Sequence, residues 1–247
     1  MTYLKGAIGA LCFVIISTIA FGQKDLTKEA DLTYQAGSFY AAVDAYKKAY
    51  SKESKQTEKA RILFRIGDSY RLIQDAAQAE VWYQKAEAAS FEDPILKVRL
   101  GDILRSQGRY DDAIESYREA MAKASGEVKT FAENGINACE TAVKMQKNPA
   151  RYVVNNEAQL NSKYYDFSLI YADKKLESIY FTSSRPGAAG NSTDEIYGES
   201  FSDIYRSERD NKGKWSSPQP LGENISSPAN EGAAFLDSKY SQLYFTR

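Results

Sequence analysis

With 32 Lys and Arg against 33 Asp and Glu over 247 residues, the chain is close to neutral and offers no electrostatic case for nucleic acid or an anionic membrane. It has no histidine, which excludes Ser-His-Asp and Cys-His nucleophile arrangements and histidine metal sites. Cys12 lies in an apolar N-terminal stretch and Cys139 then stands alone, so no internal disulfide or thiolate cluster is expected and packing must hold the fold.

The N-terminus reads as an export signal. Lys5 supplies a positive start, residues 6–19 are apolar apart from Ser17 and Thr18, and Ala20-Phe21-Gly22 puts small residues where a signal peptidase reads. The apolar run falls short of the roughly 18–20 residues that span a bilayer, and polar sequence follows at once. We expect residues 1–22 to be cleaved between Gly22 and Gln23, leaving an exported mature chain with no transmembrane segment. Leu11 before Cys12 breaks a lipidation motif, so the mature chain is expected to carry no lipid.

One pattern then recurs: Ala42-x-x-x-Tyr46-x-x-Ala49, Ala79-x-x-x-Tyr83-x-x-Ala86 and Ala113-x-x-x-Tyr117-x-x-Ala120. Gly67-Asp68 and Gly101-Asp102 open the first helices of the second and third copies, with Ala30-Asp31 as a degenerate first copy. Gly37-Ser38-Phe39 and Gly108-Arg109-Tyr110 supply turns, and Asp93-Pro94 breaks the chain before the third copy. Spacings of 34 to 37 residues predict stacked helical hairpins, each with an apolar face that its neighbour buries. These residues resemble the tetratricopeptide family over residues 25–147, without the Trp that opens that family's first helices. Residues 127–147 read as one more amphipathic helix, a cap with Lys129, Glu133, Glu140 and Lys144 outward and Cys139 as a small buried residue. The solenoid is assigned to residues 23–147.

A concave groove lined by first-helix residues is the natural place for function. Repeat register assigns to it Arg61, Phe64, Arg65, Asp68 and Arg71 from the second copy, and Val98, Arg99, Asp102 and Arg105 from the third. Lys24, Lys28, Asp31 and Tyr34 form a weaker first set. Arginine forks suit carboxylates, so an acidic segment of another protein is the expected ligand. The best-known clamp of the resembled family uses Asn where Asp31, Asp68 and Asp102 stand here. Aspartate there repels a terminal carboxylate unless neighbouring arginines pair with it. The bland alternative is a solvated face of Asp–Arg pairs that contributes little.

At Asn148-Pro149-Ala150 the helical period gives way to short aromatic and β-branched runs between Gly, Pro, Asn and Ser, placing a linker at 148–158 and an all-β region at 159–247. A second repeat follows. Leu160-Asn161-Ser162, Asp166 and Tyr180-Phe181-Thr182 correspond to Ile225-Ser226-Ser227, Glu231 and Tyr244-Phe245-Thr246, 64 to 65 residues later. Asp210-Asn211-Lys212-Gly213 reads as a hairpin turn between Asp203-Ile204-Tyr205-Arg206-Ser207 and Lys214-Trp215-Ser216. Residues 186–200 read as a polar surface loop, with no calcium-loop spacing among Asp194, Glu195 and Glu199.

The Tyr-Phe-Thr-Ser-Ser-Arg, Asp-Ile-Tyr, Lys-Trp-Ser and Asn-Glu-Gly segments resemble PD40-type, WD40-like propeller repeats. The fold expected is thus multidomain: an all-α tetratricopeptide solenoid followed by all-β, incomplete propeller blades. Signal, solenoid and blades in that order resemble Bacteroidetes-type OmpA-family envelope proteins. The resemblance implies a non-enzymatic periplasmic scaffold near the outer membrane, with cell-envelope proteins as partners, no cofactor and no metal. It also implies an accessory role that links outer-membrane or type IX secretion machinery to peptidoglycan, through a C-terminal domain absent from this sequence. The competing reading is a ligand- or carbohydrate-binding propeller sensor.

Overall fold

Helices and then strands follow one another in a computed structural model that describes residues 26–187 and 193–247. The expected signal, its Gly22–Gln23 cleavage point and Lys24 lie outside the described residues. The chain divides between Arg151 and Tyr152 into two units.

The first unit contains α1 (26–35), α2 (Phe39–Lys52), α3 (Gln56–Leu72), α4 (Ala76–Ala88), α5 (Ile95–Ser106), α6 (Tyr110–Lys123) and α7 (Gly126–Lys147). They pair as three hairpins with α7 stacked on the last. Gly37 and Gly108 take φ of +83° and +76° in the first and third hairpin turns, the left-handed conformation that stops a helix there. The second turn uses Gln74 at φ +64° in the equivalent place. A sequence reading keyed to glycine does not name that turn. Asp75 follows it and caps α4, its side chain accepting from the Gln78 amide at 3.0 Å.

The repeating Ala and Tyr positions are the core. Tyr46, Tyr83 and Tyr117 have no exposed surface, and Ala42, Ala79 and Ala113 are equally sealed. The small residue of each first helix makes room for a ring. A Cβ on Gly67 would lie 2.7 Å from the Tyr83 ring, and one on Gly101 would lie 2.6 Å from that of Tyr117. A Cβ on Gly135 of α7 would collide with the same Tyr117 ring, so this ring is wedged between α5 and α7. Lys129, Glu133, Glu140 and Lys144 face outward from α7, while Cys139 is fully buried.

The second unit holds two antiparallel sheets. In the first, β1 (Asp166–Tyr171), β2 (Ser178–Ser183), β3 (Asp203–Glu208) and β4 (Gln219–Pro220) lie in sequence order, as a meander. In the second, β5 (Gly232–Leu236) pairs with β6 (Leu243–Thr246). Alternation along β2 sends Ile179 and Phe181 into a cluster with Leu160, Tyr205 and Trp215. The opposite side of β2 meets β5, where the Ala233 amide donates to Thr182 Oγ1 at 3.2 Å. The turn at 210–213 forms as expected: Asp210 Oδ1 accepts from the Lys212 and Lys214 amides, both at 2.9 Å, and Arg209 bridges to Trp215. Within the 186–200 insertion, residues 193–200 are not structureless, because Thr193 bridges Ser200 and the Asp194 amide donates to Glu199 O at 2.7 Å.

The 65-residue repeat recurs as geometry. Asp166 accepts from the Ser162 amide and hydroxyl, and Arg185 joins it to Leu160 O. Glu231 accepts from the Ser227 amide and hydroxyl, and Arg247 joins it to Ile225 O. Each arginine also lies over a strand phenylalanine, Arg185 over Phe181 at 5.1 Å and Arg247 over Phe245 at 5.6 Å. By strand alignment Arg247 stands opposite Ser183, so its equivalence to Arg185 is visible only in space.

Candidate partner groove

α1, α3 and α5 place Asp31, Asp68 and Asp102 in register, and each accepts a hydrogen bond from the core tyrosine 15 residues later. Tyr46 Oη donates to Asp31 at 2.6 Å, Tyr83 Oη to Asp68 at 3.1 Å, and Tyr117 Oη to Asp102 at 2.8 Å. The aspartates therefore hold the polar tips of rings whose bodies fill the core. Sequence reasoning missed this pairing. The signal was present, since the 15-residue spacing is constant through all three repeats.

Arginines sit around this row. Arg61 binds Asp31 with both fork nitrogens at 3.0 Å, which ties the second hairpin to the first. Asp68 is the hub: it is 5% exposed and accepts from Tyr34 Oη at 2.5 Å and Arg71 Nε at 2.8 Å as well as from Tyr83. Arg65 and Arg99 reach it only at 3.9 and 3.8 Å, beyond hydrogen-bond range. Arg99 Nη1 lies 3.6 Å from Asp102, and its buried Nε has no hydrogen-bond partner. Arg105 lies 3.8 Å from Asp102 and donates weakly to Tyr117 Oη at 3.4 Å. The Arg65 guanidinium lies 4.9 Å over the Tyr34 ring.

These contacts set protonation. Burial pushes the Asp68 carboxyl up, but the Arg71 charge, the Tyr34 hydroxyl and Arg99 together hold it below the usual carboxylate range. Asp31 behaves alike, raised by burial and brought lower by Arg61 and Tyr46. Burial and the Asp68 carboxylate push Tyr34 up to about 12, and Tyr46, Tyr83 and Tyr117 also move upward, chiefly through burial. The hydroxyls thus stay protonated and donate, and Asp31 and Asp68 stay charged.

Two assigned groove residues are elsewhere. Phe64 is 7% exposed, stacked on Phe91 at 4.6 Å and close to Tyr83, so it belongs to the core. Val98 is buried as well. Phe64 misses the groove because it points at Tyr83 of the second helix and at Phe91 beyond it, and Val98, 34 residues later, joins the same core cluster. Asp68 lies beneath the arginines, so it shapes the surface more than it presents one. Arg61, Arg65, Arg71, Arg99, Asp102 and Arg105 remain partly exposed together. Around Asp68 and Asp102, four arginines against two carboxylates leave positive charge in excess.

The sequence profile of the tetratricopeptide repeat matches residues 96–122. These are α5 and α6. The third hairpin is thus similar to that repeat, and the helical unit has the form of a tetratricopeptide-like solenoid. Among solved structures, the chain is similar to the Sgt2 TPR domain from Aspergillus fumigatus, at 15% identity over 55% of this chain and 87% of that one, with a TM-score of 0.44. It is also similar to the Yersinia enterocolitica type III secretion chaperone SycD, solved with a peptide of the translocator YopD, at 14% identity, 49% and 93% coverage and a TM-score of 0.44. PcrH from Pseudomonas aeruginosa gives 18% identity, 50% and 92% coverage and a TM-score of 0.41. No curated protein matches the chain.

Among the described residues no helix is long and apolar enough to cross a membrane, and no group of three His, Cys, Asp or Glu side chains is placed to hold a metal ion.

Proposed function

We propose that this chain is a non-enzymatic scaffold of the cell envelope whose solenoid groove takes an acidic segment of another envelope protein. The observation that carries the reading is the set of guanidinium groups on Arg65, Arg99 and Arg105, which are partly exposed and lie 3.6 to 3.9 Å from the nearest carboxylate, beyond hydrogen-bond range. Because Arg71 pairs with Asp68 and the Tyr34 and Tyr83 hydroxyls occupy its oxygens, an incoming carboxylate meets arginine and not bare aspartate. Aspartates in the row favour side-chain carboxylates spaced along a segment over a single terminal one. The signal-like residues 1–22 support export, and the recurring Ser–acid–Arg arrangement supports a β unit built from propeller-type repeats. An accessory place near the outer membrane, linked to secretion machinery or peptidoglycan, follows from the family resemblance.

Calorimetric titration with an amidated Glu- and Asp-rich peptide tests the groove. The native chain should bind it, and Arg65→Glu with Arg99→Glu should weaken binding by about 1.5–3 kcal/mol for each lost charge-assisted contact, with helicity unchanged. Equal affinity for native and reversed chains would return the arginines to a solvated face. N-terminal mass spectrometry of the exported protein should begin at Gln23, and a retained Met1 would overturn the export assignment.

A further inference from the structure

Positive charge on the solenoid is sorted by residue type. The groove uses arginines that stand beside aspartates, and Lys97 on α5 is held between Glu87 at 2.6 Å and Glu119 at 2.7 Å. Lys47, Lys59 and Lys85 differ, because among the described residues none of them has a carboxylate within ion-pair distance. Each rests on an aromatic ring instead. Lys47 Nζ lies 5.3 Å from the centroid of Tyr70 and 5.7 Å from that of Trp82, and it donates to Tyr70 Oη at 2.9 Å. Lys85 Nζ lies 3.9 Å from the Trp82 centroid, and Lys59 Nζ lies 5.5 Å from that of Tyr50.

The three rings form one floor. Tyr50 on α2, Tyr70 on α3 and Trp82 on α4 are half-buried, and each packs against both apolar clusters of the solenoid. Val81, beside Trp82, stays 42% exposed. Tyr70 stands two residues beyond Asp68, about 200° around α3, so the floor lies on the far side of that helix from the aspartate row. Lys47 and Lys85 share one indole with no anion between them, and like charges so placed repel until a counter-ion joins them.

We propose that this patch docks on a lipid surface carrying anionic phosphate headgroups. An ammonium is a compact, strongly hydrated charge on a flexible stem, which suits phosphate, whereas the planar forks of the groove suit carboxylate. Half-buried Tyr and Trp are amphipathic rings that rest at headgroup level, and Val81 adds an apolar contact. The near-neutral charge of the whole chain does not oppose this, since attraction to a charged surface fades within a Debye length and only local lysines count. The patch stands apart from the groove, so either can fail alone.

Vesicles test the docking. In a Trp215→Phe background Trp82 is the one remaining indole. Its emission should shift to the blue with vesicles of phosphatidylglycerol and phosphatidylcholine in equal parts, and stay put with phosphatidylcholine alone. Co-sedimentation of the native chain should follow the same order and fade as salt rises. Residues 6–19 are apolar and would bind both compositions alike, so the difference between the two is the readout. Lys47→Ala and Lys85→Ala should each weaken anionic binding by about fivefold, with circular dichroism unchanged. Equal binding to both compositions, an unmoved Trp82 emission, or affinity that survives the two substitutions together would each overturn the proposal. A shift with polyglutamate and none with vesicles would overturn it in favour of an acidic protein.

Discussion

Both units repeat a carboxylate in a fixed setting, but the two settings differ in what they seal. In the solenoid, Asp31, Asp68 and Asp102 hold the hydroxyl ends of rings that fill the gaps between helices. In the β unit, Asp166 and Glu231 fasten a loop to the end of a strand through Ser162 and Arg185, or Ser227 and Arg247. The solenoid acids sit at the edge of two large apolar clusters, so each secures packing that is already favourable. The β-unit acids adjoin a smaller core, since the buried apolar cluster among the described residues there holds Leu160, Ile179, Phe181, Tyr205 and Trp215. A polar lock should therefore matter more in the second unit than in the first.

The largest expected effect tests that difference directly. Asp166→Ala strands Arg185, whose side chain is 15% exposed, without its partner, and loss of one member of a buried pair costs about 3–5 kcal/mol. Asp102→Ala, at a side chain 32% exposed, should cost near 1 kcal/mol, within the range of a single hydrogen bond. Urea unfolding resolves the two units, with far-ultraviolet circular dichroism reporting the helices and Trp215 fluorescence in a Trp82→Phe background reporting the sheet. Equal losses for the two variants would remove the distinction between the units.

Acid should sharpen the comparison. Asp31 and Asp68 in the solenoid and Asp166 in the β unit all have carboxyls held below the usual 3.8 against the opposing effect of burial. A folded value below the unfolded one gives stability that is fully present above pH 3.8 and is lost as the pH falls through the folded values. Both units should weaken in that window. In Asp166→Asn the Trp215 transition should lose part of its acid dependence while the helical transition keeps its own. An unaltered Trp215 profile would show that Asp166 is not the titrating group.

The smallest effect concerns the second hairpin turn. Gln74 holds φ +64°, where a side chain is disfavoured by about 1–2 kcal/mol, and Gly37 and Gly108 occupy the same place in the other two hairpins. Gln74→Gly should raise the stability of the helical unit by about 0.5–1 kcal/mol once the entropy of glycine is set against the relieved strain. Thermal unfolding followed at the helix signal measures it, and no change in the midpoint would mean that the turn carries no strain.

By itself the sequence determined the period. Ala, Tyr and Gly positions recur at helical spacing because each hairpin has one apolar face and one gap to fill, and that pattern is local enough to read along the chain. The alternation and turn residues around Asp210 and Gly213 were legible for the same reason. Tertiary structure alone decided which groove positions face outward, sending Phe64 and Val98 inward to join the apolar cluster between the helices. It alone joined Tyr34 to Asp68, 34 residues apart, and matched Arg247 to Arg185 across a register that strand alignment sets two residues off. Such contacts depend on where two elements lie in space, and a side chain that bonds across a repeat leaves no period in its own neighbourhood.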